Sequence, residues 1–264
     1  MDFRLDDGWQ IHPLGGNTGT AYMGVKEQEK LFIKRNTSPF LAALSLEEIT
    51  PRLVWTKHIS TGDTLTAQEW LNGRCLSKEE MGQENVARLL SRVHRSKILR
   101  KMLCQVGGRY VFPEEILSNY FRGLSLELRA HPLLKSVANQ LRTHQPKLDH
   151  REFKVSHGDL NHKNWLLSDR DRLYLVDWES ARLADSALDI SMLMCQYVPR
   201  AEWKQWLAEK YEISITAGLK QRISWYYMVN LLLSVKDEHQ RGRFFEMNRD
   251  ILKLAAFFEN QDFI

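Results

Sequence analysis

The sequence predicts an α+β fold, with a small antiparallel sheet in its first part and a larger, mainly helical part after it. Between residues 9 and 70, short runs rich in β-branched and aromatic residues alternate with turn signals. From Ser77 onward, apolar residues recur at helical spacing. Between residues 154 and 179, side chains that carry oxygen atoms flank a short run of strand type. This last segment is the candidate functional site.

Length and composition set broad limits. The chain has 264 residues, enough for one large domain or two small ones. With 37 basic and 33 acidic residues, the net charge of +4 is mildly basic and does not predict nucleic-acid binding. The basic segment 88–101 keeps DNA binding as a third-ranked alternative, and we expect a solvated helix face there.

Three cysteines, Cys75, Cys104 and Cys195, are scattered without the C-x-x-C spacing of zinc or redox sites. We therefore expect reduced thiols and a cytoplasmic location. Residues 1–7 are acidic and lack the apolar core of a signal peptide. The most apolar run, 225–235, is too short to cross a bilayer, so no membrane association is expected.

Residues 9–35 predict three strands, with a glycine-rich turn between the first two. This turn contains Gly15, Gly16, Asn17, Thr18 and Gly19. Glycines between strands let backbone N–H groups approach phosphates, because no Cβ stands in the way. The simpler alternative is an ordinary hairpin turn.

The next elements follow from turn and helix signals. A short helix is expected around 42–49, ended by the nearby Pro51. Residues 52–58 and 64–70 predict two more strands. Helices are then expected over segments with apolar residues at helical spacing: 87–94, 114–128, 133–141 and 190–197. The many aromatic residues after residue 200 have core spacing, and a cage for a cationic ligand is the alternative.

Residues 154–179 predict a hairpin with functional groups at its open end. His157-Gly158-Asp159 and Asn164 come before a short polar turn, and Asp177 follows the strand-like run 173–176. Because the turn at 168–172 is short, we expect both functional ends on one side.

The three side chains suit phosphoryl transfer. A carboxylate at Asp159 could accept the proton of a substrate hydroxyl. The amide oxygen of Asn164 and the carboxylate of Asp177 are ligands that Mg²⁺ prefers when phosphate oxygens and water complete its shell. Alternatively, Asp159 is a turn residue and Asp177 caps a strand.

Residues 157–164, His-Gly-Asp-Leu-Asn-His-Lys-Asn, resemble the catalytic loop of the aminoglycoside-phosphotransferase and choline-kinase superfamily, relatives of protein kinases. Asp177-Trp178-Glu179 resembles its metal-binding motif, and Asp177 follows Asp159 by 18 positions, as in that superfamily. The resemblance implies a two-lobed protein-kinase-like fold with an N-lobe over 1–70, a hinge at 71–73 and a helical C-lobe over 74–264. It also implies ATP and Mg²⁺ as cofactors.

The same resemblance implies roles outside the motif. Lys34, which otherwise could be an exposed strand residue, would reach the α- and β-phosphates. It would pair with a glutamate of the short helix, either Glu47 or Glu48. The segment Gln68, Glu69, Trp70 and Leu71 resembles the hinge whose backbone binds adenine.

Two residues of the helical part receive supporting roles. Asp189 resembles an aspartate that accepts hydrogen bonds from the backbone of the catalytic loop, whose buried donors need partners. His94 is expected to be a hydrogen-bonded structural histidine.

At closer range, the chain is similar to the CcrZ-like group of bacterial cell-cycle regulators. The similarity lies in four segments, 15–22, 34–39, 67–71 and 164–165. It implies a small-molecule hydroxyl acceptor such as ribose or 2-deoxyribose, a link to the initiation of chromosome replication, and contacts with replication or division proteins. The alternatives are a choline- or aminoglycoside-type kinase, and a nucleotide-binding pseudokinase that works through protein contacts.

Overall fold

The computed structural model of the protein describes residues 8–15 and 20–259. The strands are, in chain order, β1 (Gln10–Pro13), β2 (Ala21–Lys26), β3 (Glu29–Arg35), β4 (Leu53–His58), β5 (Thr64–Glu69), β6 (Gly73–Cys75), β7 (Lys154–Ser156), β8 (Trp165–Ser168), β9 (Leu173–Leu175) and β10 (Arg182–Ala184). The helices are α1 (Phe40–Leu46), α2 (Glu84–Arg95), α3 (Lys97–Gln105), α4 (Pro113–Phe121), α5 (Leu126–Ala130), α6 (Pro132–Thr143), α7 (Ser186–Tyr197), α8 (Trp203–Gln205), α9 (Ala217–Gln240) and α10 (Phe244–Glu259). The fold is α+β, as predicted, with an antiparallel sheet followed by a mainly helical region.

The chain forms two compact units, each assembled from three separate segments. The sheet unit contains the described residues up to Leu76, together with Ser96–Gly107 and Asn161–Ser180. The helical unit contains Ser77–Arg95, Gly108–Leu160 and the described residues from Ala181 onward. The predicted lobe boundaries and the hinge at 71–73 stay predictions.

The sheet unit is built on five antiparallel strands in the order β1-β2-β3-β5-β4. Leu31 and Ile33 of β3 and Leu65 and Ala67 of β5 form its core, at 8% exposure or less. Because successive side chains of a strand point to opposite faces, Lys34 projects away from this core. The strands predicted in 9–35, 52–58 and 64–70 are confirmed.

A second sheet of the same unit has the strand order β6-β8-β9. Strands β8 and β9 form an antiparallel hairpin in which Trp165 lies opposite Leu175. The backbone N–H of Val176 donates to the carbonyl of Asn164 at 2.9 Å. The predicted hairpin is therefore confirmed for β8 and β9, with Asn164 and Val176 paired at its open end.

Helix α1 ends earlier than the predicted boundary near residue 49. The N–H of Ile49 donates to the Leu44 carbonyl at 2.9 Å, and the N–H of Glu48 donates to Ser45 at 3.0 Å. Glu48 has φ +54. This pattern is a Schellman motif with Glu48 in the left-handed position, so it, and not Pro51, ends the helix.

The helical unit is arranged around α9, which packs against α7, α10, α4 and α6. The ring of Tyr227 lies 4.8 Å from that of Trp203 and 4.6 Å from that of Phe257, between centroids. The predicted aromatic core is confirmed for the residues that are at most 7% exposed: Trp203, Trp206, Tyr211, Trp225, Tyr226, Tyr227 and Phe257. Phe244 and Phe245, in contrast, are 56% and 79% exposed.

The single helix predicted over 114–128 is wrong, because the segment forms α4 and α5. Gly123 has φ +66, a left-handed conformation that interrupts helical hydrogen bonding. Ser125 then caps the new helix, its Oγ accepting from the N–H of Leu128 at 3.3 Å.

Across the described residues, the longest helix, α9, has 24 residues and carries several charged side chains. None of the described helices combines the length and the apolar character that a bilayer crossing requires.

Candidate active site

The hairpin of β8 and β9 holds two of the predicted ligands at its open end. Asn164 ends a 3-10 turn, His162–Asn164, and the side-chain oxygen of Asn161 caps this turn by accepting from the N–H of Lys163 at 3.0 Å. Asp177 follows β9 with φ +64, a left-handed conformation that aspartate tolerates better than most residues. The backbone bond between Val176 and Asn164 keeps these two ends together.

Trp178 orients the acidic residues on either side of it. Its side chain is buried, its Nε1 donates to the Leu175 carbonyl at 2.8 Å, and its ring meets Phe40 of α1 edge-on at 6.0 Å. Asp177 and Glu179 remain about half exposed, with side-chain exposures of 47% and 55%.

Lys34 bridges these two carboxylates. Its Nζ lies 3.0 Å from Oδ1 of Asp177 and 2.6 Å from Oε1 of Glu179. Burial alone would lower the pKa of Lys34, but hydrogen bonds and charge from Glu179 and Asp177 raise it above its ordinary value. Lys34 is therefore a cation held against two acids, at the place where the sequence predicts phosphates and a metal.

The sequence prediction missed Glu179 as a partner of Lys34. The only signal available was its place in the Asp-Trp-Glu motif. The predicted partners occupy other contacts: Glu47 Oε2 lies 3.5 Å from Ser96 Oγ, and Glu48 forms an ion pair with Arg172 at 2.6 Å. The pairing of Lys34 with Glu47 or Glu48 stays a prediction.

The loop that carries Asp159 belongs to the helical unit, where it follows β7, the antiparallel partner of β10. Asp189 accepts from the N–H of His157 at 2.8 Å and from the N–H of Gly158 at 3.2 Å. Its Oδ1 also accepts from Ser156 Oγ at 2.7 Å. These bonds confirm that Asp189 supports the backbone of the loop, as predicted.

His94 completes this buried network. Its Nε2 lies 3.2 Å from Oδ2 of Asp189, and its Nδ1 lies 2.6 Å from the hydroxyl of Tyr211. His94 is only 4% exposed, so the prediction of a hydrogen-bonded structural histidine is confirmed. Burial raises the pKa of the Tyr211 phenol, which therefore stays protonated.

The nucleotide-binding residues predicted at 68–71 comprise the last two residues of β5 and the two that follow it. Gln68 is buried and its Nε2 donates to the Pro51 carbonyl at 2.7 Å, while the exposed Glu69 pairs with Arg52 at 3.4 Å. Trp70 and Leu71 follow the end of β5 and are half-buried. Their contact with adenine stays a prediction.

The predicted glycine turn lies mostly outside the described residues. Gly16, Asn17, Thr18 and Gly19 belong to the undescribed part, whereas Gly15 is described. A Cβ built on Gly15 meets no atom within 4 Å. Strands β1 and β2, on either side of this turn, pair antiparallel, with Pro13 opposite Tyr22. The contact of the turn with phosphates stays a prediction.

The side-chain oxygens of Asn164 and Asp177, at the open end of the β8–β9 hairpin, are of the type that Mg²⁺ prefers when phosphate completes its shell. In the part of the chain that is described, no group of three or more His, Cys, Asp or Glu side chains is arranged to enclose a metal. Mg²⁺ in phosphoryl-transfer sites needs only one or two protein oxygens besides phosphate and water. Asn164 and Asp177 are the residues that would hold it.

Comparison with known proteins agrees with this geometry. The profile of the phosphotransferase enzyme family, APH, matches residues 34–221, which is more than half of the chain. Among solved structures, the choline kinase LicA from Streptococcus pneumoniae is 18% identical, with a TM-score of 0.60 and coverage of 94% of both chains.

Two further structures are similar in fold. A choline/ethanolamine kinase family protein from Mesorhizobium loti is 15% identical, with a TM-score of 0.65 and coverage of 96% of this chain and 90% of that chain. A spectinomycin phosphotransferase in complex with ADP and its antibiotic is 16% identical, with a TM-score of 0.60 and coverage of 91% and 87%. These likenesses concern the fold, while the family match covers the segment from Lys34 through the motifs at 157–164 and 177–179. The chain belongs to the phosphotransferase enzyme family.

Proposed function

We propose that this chain is an ATP-dependent kinase that transfers the γ-phosphoryl group to a hydroxyl of a small molecule. The observation that carries the proposal is the contact of Lys34 with Asp177 and Glu179 at the open end of a hairpin that also presents Asn164. Such a cluster suits a nucleotide phosphate, because it offers one ammonium group to the phosphates and oxygen ligands to a divalent cation.

Each residue has a role in the proposed reaction. Asp159 orients the acceptor hydroxyl and takes its proton, while Lys34 binds phosphate oxygens. Asp189 keeps the loop of Asp159 in place through its bonds to the backbone of His157 and Gly158. Mg²⁺, when bound by Asn164 and Asp177, would neutralise phosphate charge.

The acceptor we propose is a sugar, either ribose or 2-deoxyribose. This rests on the resemblance to the CcrZ-like group, as do a cytoplasmic role in the cell cycle at the initiation of DNA replication and contacts with replication or division proteins. The fold likeness to choline kinase and to spectinomycin phosphotransferase keeps a choline- or aminoglycoside-type kinase as the second candidate.

An ADP-release assay with sugars, amino alcohols and aminoglycosides tests the proposal. We expect acceptor-dependent turnover that falls by about 10²- to 10⁴-fold in Asp159→Asn, the range for loss of a general base. Asp171→Asn is the matched control, because Asp171 lies in the turn of the same hairpin. This variant should keep full activity.

Two results would contradict the proposal. Turnover that survives in Asp159→Asn would refute the assigned base. ADP binding without turnover on any acceptor would favour a pseudokinase.

A further inference from the structure

Arg182 lies against the catalytic loop. A Cβ built on Gly158 would stand 2.7 Å from Nη2, 2.8 Å from Cζ and 3.0 Å from Nε of Arg182. The guanidinium group therefore occupies the space that a side chain at position 158, the residue before Asp159, would fill.

The fold explains how Arg182 reaches this place. It begins β10 and lies opposite Ser156, the last residue of β7. The chain then turns at Gly158, which has φ +80, a conformation that favours glycine. The absence of a Cβ at Gly158 thus permits both the left-handed backbone of the turn and the close approach of the Arg182 guanidinium.

The charge of Arg182 is not balanced within the described residues. Its Nε is buried and has no hydrogen-bond partner, and no described carboxylate forms an ion pair with it. The three buried aspartates of the same unit have other partners: Asp185 pairs with Arg222 at 3.0 Å, Asp189 with His94 at 3.2 Å, and Asp250 accepts from Ser234 at 2.7 Å. An arginine is charged at any physiological pH, and a buried donor without an acceptor is costly.

We propose that Arg182 binds the acceptor, donating hydrogen bonds to its oxygen atoms beside the hydroxyl that Asp159 activates. This inference rests on the proposed kinase function and deepens it. A guanidinium fork suits vicinal hydroxyl, carboxylate or phosphate oxygens and repels an ammonium group. The acceptor of this chain is therefore oxygen-rich and carries no positive charge near its reacting hydroxyl, which excludes choline and aminoglycosides.

Acceptor binding to the ADP-loaded protein, measured by calorimetry, tests this contact directly. The probes are ribose and ribose 5-phosphate on one side, and choline and spectinomycin on the other. We expect the wild type to bind at least one of the first pair and neither of the second. Arg182→Gln should weaken that binding by about 10- to 100-fold, the effect of one or two hydrogen bonds from a charged donor.

Steady-state kinetics add a second readout. Arg182→Gln should raise KM for the sugar while kcat changes only a few-fold, because Asp159 remains in place. Arg182→Lys keeps the charge but loses the forked guanidinium, so its KM for the sugar should lie between those of the wild type and Arg182→Gln. This variant serves as the test if Arg182→Gln does not fold. Arg151→Gln, at an arginine of the same unit that is 81% exposed, should bind the sugar as the wild type does.

The outcomes separate the two proposals. Turnover of choline or spectinomycin by the wild type, or sugar binding unchanged in Arg182→Gln, overturns the role of Arg182 and leaves the kinase function standing. Sugar binding that depends on Arg182 without any ADP release supports the contact and contradicts the kinase function. Failure of all four probes to bind overturns the inference.

Discussion

Asp189 is the buried carboxylate on which the loop before Asp159 depends. Burial alone would raise its pKa, but hydrogen bonds from His94, Ser156 and the His157 backbone outweigh burial and hold the pKa at about 2. Because the ordinary value is 3.8, folding favours the ionised form. The difference contributes about 2 kcal/mol to stability at neutral pH.

We predict that Asp189→Asn removes this acid-sensitive part of the stability. In the wild type, the contribution is complete above about pH 5 and is lost as the pH falls from 4 towards 2, because the depressed pKa belongs to the folded state. The variant should be destabilised by about 3–5 kcal/mol at pH 7. Urea unfolding at pH 7, 5 and 3 measures both effects, with the exposed Asp171→Asn as control. An equal pH dependence in wild type and Asp189→Asn would contradict the assignment.

A second prediction concerns Lys34. Lys34→Ala should weaken ADP binding by about 10-fold or more, because an ammonium group that contacts phosphate is lost. Lys30→Ala is the matched control, since Lys30 is an exposed lysine on the same strand and the same face. Calorimetric titration with ADP decides the matter, and equal affinities of the two variants would exclude Lys34 from the nucleotide site.

At the scale of single residues, the sequence was informative where a motif was local. Asp159, Asn164 and Asp177 stand out because their spacing matches one reaction. The contact of Lys34 with Glu179 joins residues far apart in the sequence, so no periodicity or turn signal could indicate it. The position of the Arg182 guanidinium against Gly158 was equally unpredictable, because it results from the pairing of β10 with β7.

At the scale of elements, the hairpin of β8 and β9 was predictable and the end of α1 was not. A polar turn between two apolar runs is a strong local signal. Helix α1 ends with Glu48 in a left-handed conformation where glycine or asparagine is usual, so the sequence carried no stop signal there. The break between α4 and α5 did carry one, Gly123, which the predicted helix overlooked.

Strand β6 provides a prediction at this scale. A Cβ on Gly73 would overlap the carbonyl oxygen of Leu167 and stand 2.9 Å from Cα of Ser168, both in the paired strand β8. Gly73→Ala should therefore separate these strands and destabilise the protein by about 1–3 kcal/mol. Gly218→Ala in α9 is the control, because its Cβ would meet only the tip of Arg222 at 3.8 Å. Thermal unfolding compares them, and a melting temperature unchanged in Gly73→Ala would contradict the close packing.

At the scale of the whole molecule, nucleotide binding should stabilise the folded protein. ADP with Mg²⁺ at 100 times its Kd should raise the free energy of unfolding by about 2.7 kcal/mol. Removing the metal with EDTA, or substituting Asp177→Asn, should reduce this gain. Asn tolerates the φ of +64 at position 177, so the variant loses charge and keeps its backbone.

The control for this experiment is Asp171→Asn, at a second aspartate with positive φ. Its stabilisation by the nucleotide should equal that of the wild type. If the nucleotide raises the free energy of unfolding equally in Asp177→Asn and in the presence of EDTA, position 177 does not hold a metal ligand.

The fold class followed from patterns that extend over whole segments, which is why it was predictable. Which segments form each unit was not predictable, because Ser96–Gly107 and Asn161–Ser180 join the sheet unit through contacts between residues that are distant in sequence. A boundary between periodic segments marks a change of element, and it does not show which segments pack together.

The composition of the sheet unit also determines when it can finish folding during translation. Its first strands leave the ribosome about 100 residues before Asn161–Ser180, which complete the unit. At about 5–20 residues per second, the delay is on the order of ten seconds, whereas a hairpin forms in microseconds. During translation the early strands must therefore wait with incomplete cover, and this interval is when chaperone binding would matter most to the yield of active protein.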